Sequence, residues 1–153
     1  MKIEERIKEL GIEIPEAAAP AAMYVPVKQT GNLLFVSGQI PVKGGQMQFS
    51  GKVGAQRTLE EAQDAARLCA INIVAAVKGF LGDLDKVKSI VKITAFVASE
   101  TGFDKQHLVA NGASQLLFDV FGEAGRHTRS AVSVNQLPLD ATVEVEAIIE
   151  IEQ

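Results

Sequence analysis

The sequence has little of what secreted, metal-dependent or membrane proteins rely on. Its 153 residues include one cysteine, two histidines and no tryptophan. A lone cysteine forms no internal disulfide, and no second ligand lies at metal spacing from either histidine. No apolar run approaches the ~18 to 20 residues of a membrane span, and the charged first residues differ from a signal peptide. These absences predict a soluble, cytoplasmic protein without a metal site.

An excess of positive charge is also missing. The chain carries 19 acidic and 15 basic residues, a net charge of −4. General nucleic-acid binding relies on a basic surface that neutralises phosphates, so the charge argues against it. Hydrophobic residues make up 47% of the chain, enough for a proper core. One domain spanning residues 1–153 is expected at this length.

Two long helices and a short one are predicted. Residues 58–82 begin with a capping box, Thr58 with Glu61, and then place apolar residues every three or four positions. This pattern predicts a helix with one buried stripe. A second helix is predicted from about residue 103 to 121, and a short additional helix within residues 1–14.

Apolar and β-branched runs predict strands at residues 32–40, 47–49, 89–97, 129–134 and 142–150. The last two are expected to pair as a hairpin through residues 136–140. The element order indicates an α+β fold, a mixed sheet of about six strands with two long helices on one face.

The final strand has two different faces. Its odd-numbered residues are apolar, whereas Glu144, Glu146, Glu150 and Glu152 lie on the other side. The strand at 89–97 does not alternate cleanly, so both faces of the sheet are predicted to be partly buried. Because the helices cover only one face, a second copy of the chain is expected on the other, and a homo-oligomer is predicted.

Arg129 opens an apolar strand, where an unpaired charge costs several kcal/mol. In the predicted hairpin it faces residues 144–147, so an ion pair with Glu144 is one interpretation. The other is an anionic ligand: the arginine fork suits a carboxylate, and a nearby glutamate can hold a water molecule. Both interpretations stay open at this point. Cys69 is predicted to be a core residue, and His107 and His127 surface or capping residues.

Four segments together resemble the RidA/YjgF family, also known as endoribonuclease L-PSP. They are NLLFVSGQIP at 32–41, RSAVSV at 129–134, Leu137-Pro138 and VEVEA at 143–147, and the resemblance covers about residues 17 to 150. It implies a chorismate-mutase-like domain that forms a homotrimer, with the sheets in a central barrel and ligand clefts between subunits. The additional helix at 1–14 indicates a divergent branch.

The better-known members of that family hydrolyse reactive 2-imino acids to 2-keto acids and ammonia. The resemblance implies that Arg129 holds the carboxylate of a small ligand and that Glu144 positions the attacking water. Tyr24 and Ser37 match a tyrosine and a serine of the cleft. Neither a metal nor a cofactor is implied, because the carbon of a protonated imine is already electrophilic.

Two positions depart from the family pattern. Ala131 stands where a cysteine is common, and its backbone is expected to orient the imine; Thr101 replaces an asparagine. These departures keep a second hypothesis open, a non-catalytic protein that binds a 2-keto acid or a related carboxylate and acts in regulation. An endoribonuclease or translation inhibitor is a weaker alternative, since the charge is acidic and no catalytic histidine pair is evident.

Overall fold

A computed structural model describes residues 2–17 and 22–153. Its elements in chain order are α1 (Lys2–Glu9), β1 (Val27–Thr30), β2 (Leu33–Gln39), β3 (Val42–Lys43), β4 (Gln46–Met47), α2 (Leu59–Leu81), β5 (Val87–Ala98), α3 (Gln106–Phe121), β6 (Thr128–Val134) and β7 (Val143–Ile151). Within these described ranges, no helix has the combination of length and apolar composition that crossing a bilayer requires.

Five strands form the main sheet in the order β1-β2-β7-β5-β6. Strands β5 and β6 run parallel and the other neighbours antiparallel, so the predicted mixed α+β sheet is confirmed. Strands β3 and β4 form a separate small hairpin, which makes the sheet one strand smaller than predicted. Strand β1 was missed, because only Val27 of its four residues is buried and no alternation marks it.

The predicted hairpin between the last two strands is wrong. Strand β5 lies between β6 and β7: Arg129 pairs with Ile93, and Ile93 pairs with Ala147. A parallel neighbour requires a crossover connection, and α3 supplies it between β5 and β6. The turn Pro138–Asp140 then carries the chain across to the far side of β5.

Helix α2 begins at the predicted capping box. The Thr58 hydroxyl accepts from the Glu61 amide, and the Glu61 carboxylate accepts from the Thr58 amide. The prediction of a single buried stripe is wrong, however, since every residue at positions 69–77 is buried. Because α2 packs on the sheet and also against α3, more than one of its sides is covered. Cys69 is a core residue as predicted, and burial raises the pKa of its thiol.

The uneven pattern of β5 comes from a bulge. The register shifts between Ile90 and Lys92, so Ile90 and Ile93 both lie in the core although they are three residues apart. Burial of both faces is therefore not needed to explain this strand. The face opposite the helices still carries large apolar side chains, since Phe35 and Val132 are 43% and 44% exposed.

The short N-terminal helix is present and ends at Glu9, inside the predicted range of 1–14. The Asp85 carboxylate accepts hydrogen bonds from the Lys2 and Ile3 amides, and Ile7 is buried. Helix α3 begins at Gln106, three residues later than predicted.

Candidate functional site

Arg129 lies on the edge strand β6 and is held by helix α3. Its Nη1 donates to Asn111 Oδ1 at 2.9 Å and to Ser114 Oγ at 3.1 Å, and its Nη2 donates to the His107 carbonyl at 3.1 Å. These three partners are neutral, so the ion pair with Glu144 that the hairpin suggested is not formed. A guanidinium has five N–H groups, which leaves two donors for a ligand after these three bonds.

His127 stabilises this arrangement through Ser114. Its Nδ1 lies 2.7 Å from the Gly125 carbonyl and must donate to it, because a carbonyl only accepts. In the neutral ring Nε2 then accepts from the Ser114 hydroxyl at 2.9 Å, while Ser114 Oγ accepts from Arg129. Burial lowers the pKa of His127, the positive charge of Arg129 lowers it further, and the neutral form is favoured.

Asn111 and Ser114 were missed by the sequence analysis, and His127 was expected at the surface or at a cap. His127 is half-buried and bonds to the carbonyl of Gly125, the last residue of the short turn Gly122–Gly125, as a capping residue does, and His107 is exposed as predicted. Two signals were available. His127 lies two residues before Arg129, on the same side of an extended chain, and Asn111 and Ser114 are spaced for one helix face.

Glu144 lies on β7 and is half-buried. A bulge in β2 between Val36 and Gln39 brings Gly38 so close to the Glu144 carboxylate that a Cβ at position 38 would overlap it. Burial raises the pKa of Glu144, and the negative charge of Glu146 raises it further. A carboxyl group of this kind is suited to taking up and returning a proton.

Ser37 immediately precedes Gly38 in β2, and Tyr24 immediately precedes Val25, to which Ser37 is hydrogen-bonded. The Ser37 amide donates to the Pro26 carbonyl at 2.9 Å, and its hydroxyl donates to the Val25 carbonyl at 2.7 Å. These bonds tie the segment that contains the exposed Tyr24 to β2, next to Gly38.

Ala131 belongs with Arg129 instead. It lies two residues further along β6, is half-buried and pairs with Ala95. Thr101 is exposed in the loop before α3, where it lines a separate cavity of about 600 Å³ together with Lys52 and Asp140. The predicted residues are thus split into a Glu144 half (Tyr24, Ser37 and Glu144) and an Arg129 half (Arg129 and Ala131), with Thr101 apart from both.

The two halves do not meet within one chain. Glu144 pairs with Phe96, which pairs with Val132, three residues along β6 from Arg129. Two strand spacings and three residues correspond to about 14 Å between the Cα atoms of Arg129 and Glu144. Because side chains alternate along a strand, the two also point to opposite faces of the sheet.

Three acidic side chains, Glu4, Asp83 and Asp85, come close enough to consider as a metal site. Backbone amides already use them: Asp85 accepts from α1, Glu4 accepts from Leu84, and Asp83 accepts from the Asp85 amide. Asp85 and Glu4 thus link α1 to residues 84–85, and Asp83 caps the short turn at that point.

Comparison with known proteins relates the whole chain to one family. The pattern of the family described as "YjgF/chorismate_mutase-like, putative endoribonuclease" matches residues 4–151. Protein TCP17 of Trypanosoma cruzi is 48% identical over 153 residues, which cover 98% of this chain and 94% of that protein. The Escherichia coli K12 protein named "Putative reactive intermediate deaminase TdcF" is 33% identical over 137 residues, 90% of this chain and 93% of that protein.

Solved structures fall into two levels of similarity. The structure of Atu1372 from Agrobacterium tumefaciens, described as a protein with unknown function, has a TM-score of 0.92 at 50% identity and covers 98% of this chain and 92% of that one. The structure of E. coli TdcF with bound serine has a TM-score of 0.65 at 29% identity, with 90% and 94% covered.

Proposed function

Because the chain belongs to the YjgF/chorismate mutase-like family, which includes proteins named as reactive intermediate deaminases and as endoribonucleases, we propose that it hydrolyses 2-imino acids to 2-keto acids and ammonia. The observation that carries the proposal is Glu144, a half-buried carboxyl group of raised pKa beside Gly38. A second support is Arg129, a positioned cation with two donors left for a carboxylate.

Arg129 binds the substrate carboxylate in this mechanism. Its bonds to α3 hold the guanidinium before the ligand arrives, so little side-chain entropy is lost on binding. The two remaining donors then bind the carboxylate oxygens as charge-assisted hydrogen bonds.

Glu144 moves the protons. A water molecule adds to the imine carbon and passes a proton to the Glu144 carboxylate. Glu144 then returns this proton to the nitrogen of the adduct formed from the protonated imine. As the C–N bond breaks, the proton of the new hydroxyl group is lost to solvent, so that ammonia and the 2-keto acid are released. Such general acid–base assistance contributes about a hundred- to ten-thousandfold, and a raised pKa brings the carboxyl group nearer to the working pH.

The site is proposed to lie between subunits of a homotrimer. Arg129 and Glu144 of one chain are about 14 Å apart and face opposite sides of the sheet, so neither can serve the other. Arg129 of one copy would meet Glu144 of the next. Phe35 and Val132, exposed on the face without helices, would be covered in the same assembly.

The proposal is tested with the pure protein coupled to an amino-acid oxidase, which generates 2-imino acids in solution. Addition of the protein should accelerate the formation of 2-keto acid. Arg129→Gln and Glu144→Gln should each remove at least about 99% of that acceleration, whereas Glu152→Gln, an exposed position at the end of the same chain, should keep it. Full acceleration by Glu144→Gln would exclude the proposed role of the glutamate.

A second candidate function is binding without catalysis. The chain is much closer in shape to Atu1372 than to TdcF, and Thr101 lies in a cavity apart from Arg129. On this hypothesis 2-keto acids bind at Arg129, but no amino-acid substrate of the oxidase gives faster keto-acid formation. Endoribonuclease activity is the weakest candidate, because the net charge of −4 opposes phosphate binding.

A further inference from the structure

A groove between α3 and the start of β6 holds two arginines. It has a volume of about 570 Å³. We call it the arginine groove. The lining residues used below are Asn111, Ser114, Phe118, Arg126, His127 and Arg129. No carboxylate side chain of the described residues lines it. The one acidic neighbour of these arginines among the described residues is Glu123, which pairs with Arg126 from outside the groove lining.

The two arginines occupy opposite ends of this groove. Arg129 lies at the end of the groove near Asn111, to which it is hydrogen-bonded. Arg126 lies at the other end, with its guanidinium 5.3 Å from the centroid of the Phe118 ring. Asn111 and Phe118 are seven residues apart on α3, which corresponds to about 10 Å along the helix axis. The groove therefore presents a positive charge at each end.

Arg126 is available to a ligand. Its Nε lies 3.2 Å from a Glu123 carboxylate oxygen, but the side chains are 70% and 81% exposed. An ion pair that is so exposed contributes little and is readily exchanged for another. The Phe118 ring supports the guanidinium through a cation–π contact in the meantime.

The positive potential of the groove is not compensated inside it. His127 lies between the arginines in sequence and lines the same groove. Burial, with a smaller contribution from the charge of Arg129, lowers its pKa, and this histidine adds no compensating negative charge. A ligand with one carboxylate would neutralise one end and leave the other cation facing the groove. A ligand with two carboxylates would neutralise both.

We propose that the arginine groove takes a dicarboxylate, so that the substrates are 2-imino acids with an acidic side chain. Arg129 binds the carboxylate beside the imine, and Arg126 binds the distal carboxylate. Hydrolysis of the C=N bond then yields a 2-keto dicarboxylate and ammonia, as in the reaction above. This inference rests on the role proposed for Arg129.

The test compares two ligands of equal chain length, 2-oxoglutarate and 2-oxopentanoate, by titration calorimetry on the full-length protein. The wild type should bind 2-oxoglutarate about three- to fivefold more tightly, the effect expected of one largely exposed ion pair. Arg126→Gln should lose this preference and keep its affinity for 2-oxopentanoate. Arg67→Gln removes a charge from an exposed position on α2 and should behave as the wild type.

Equal affinities in the wild type, or a preference that survives in Arg126→Gln, would overturn the inference. If 2-oxopentanoate binds and its imine is hydrolysed, the proposed function stands whether or not the dicarboxylate inference is overturned. If neither keto acid binds to the wild type, both the inference and the carboxylate role of Arg129 are wrong. Loss of the preference in Arg67→Gln would show a general charge effect and would also overturn the inference.

Discussion

Arg129 is held by neutral groups although its charge suggested an acidic partner. The sequence indicates correctly that a cation at the start of this strand needs acceptors. It does not indicate which, because Asn111 and Ser114 lie 18 and 15 residues away and reach Arg129 only once α3 crosses the sheet. An arginine bound in this way keeps its positive charge available to a ligand.

Ser114→Ala tests whether these bonds position Arg129. The variant removes one bond to the guanidinium and leaves His127 Nε2 without its partner. The dissociation constant for 2-oxopentanoate should rise about five- to tenfold, equivalent to roughly 1 kcal/mol. Ser89→Ala, a half-buried position on β5, serves as the control and should bind normally. An unchanged dissociation constant in Ser114→Ala would rule out positioning through the serine.

The raised pKa of Glu144 predicts a pH-dependent stability. A carboxyl group whose pKa is raised on folding contributes stability that is fully present below its unfolded pKa. That contribution is lost as the pH rises through the folded pKa, because the ionised group must leave water and face Glu146. Relative to Glu144→Gln, which cannot titrate, the wild type should therefore lose free energy of unfolding as the pH rises above the unfolded pKa of about 4.3.

Urea unfolding at a series of pH values measures this difference. Glu152→Gln should follow the wild type, since Glu152 is exposed at the end of the chain. A constant difference between the wild type and Glu144→Gln would mean that the environment of Glu144 does not disfavour its ionised form.

At the scale of the secondary-structure elements, the close contact between helices α2 and α3 depends on a glycine. Gly112 of α3 lies so close to the Gln63 carbonyl of α2 that an added Cβ would overlap it. Neither helix backbone can yield without moving its packed neighbours, so Gly112→Ala should lower the free energy of unfolding by about 1 to 3 kcal/mol.

Gly79→Ala in α2 provides a matched control in urea unfolding. A Cβ at position 79 would have its nearest neighbour, the Ala17 Cβ, at 3.4 Å, an ordinary contact. Alanine is the better helix former, so this variant should be more stable by about 0.5 to 1 kcal/mol. If Gly112→Ala were equally stable, the helices would not be as close as described.

The helices were predictable and the strand pairing was not, for a physical reason. The start of α2 is marked by Thr58 and Glu61, and the bonds between them are local. Strand pairing depends on partners that are distant in sequence. Arg129 of β6 pairs with Ile93 of β5, for example, although the whole of α3 lies between them in the chain. One available signal was overlooked: a strand, a helix and a strand in succession favour a parallel pair, which would have placed β6 beside β5.

At the scale of the whole molecule, the sequence proposes a set of site residues but does not indicate how they are arranged. Three of the segments that resemble the family supplied Ser37, Arg129 and Glu144, and Tyr24 was matched to the family outside them. The sheet order then places the Arg129 half and the Glu144 half on different strands and faces. Within the proposed function, each half requires a partner from another copy of the chain.

Subunit mixing tests this central claim most directly. Arg129→Gln and Glu144→Gln chains, each inactive alone, are refolded together in equal amounts and assayed with the amino-acid oxidase. If each site takes Arg129 from one chain and Glu144 from the next, random trimers should recover about one quarter of the wild-type acceleration. If both residues of a site came from the same chain, the mixture would remain as inactive as its components, and that result would contradict the claim.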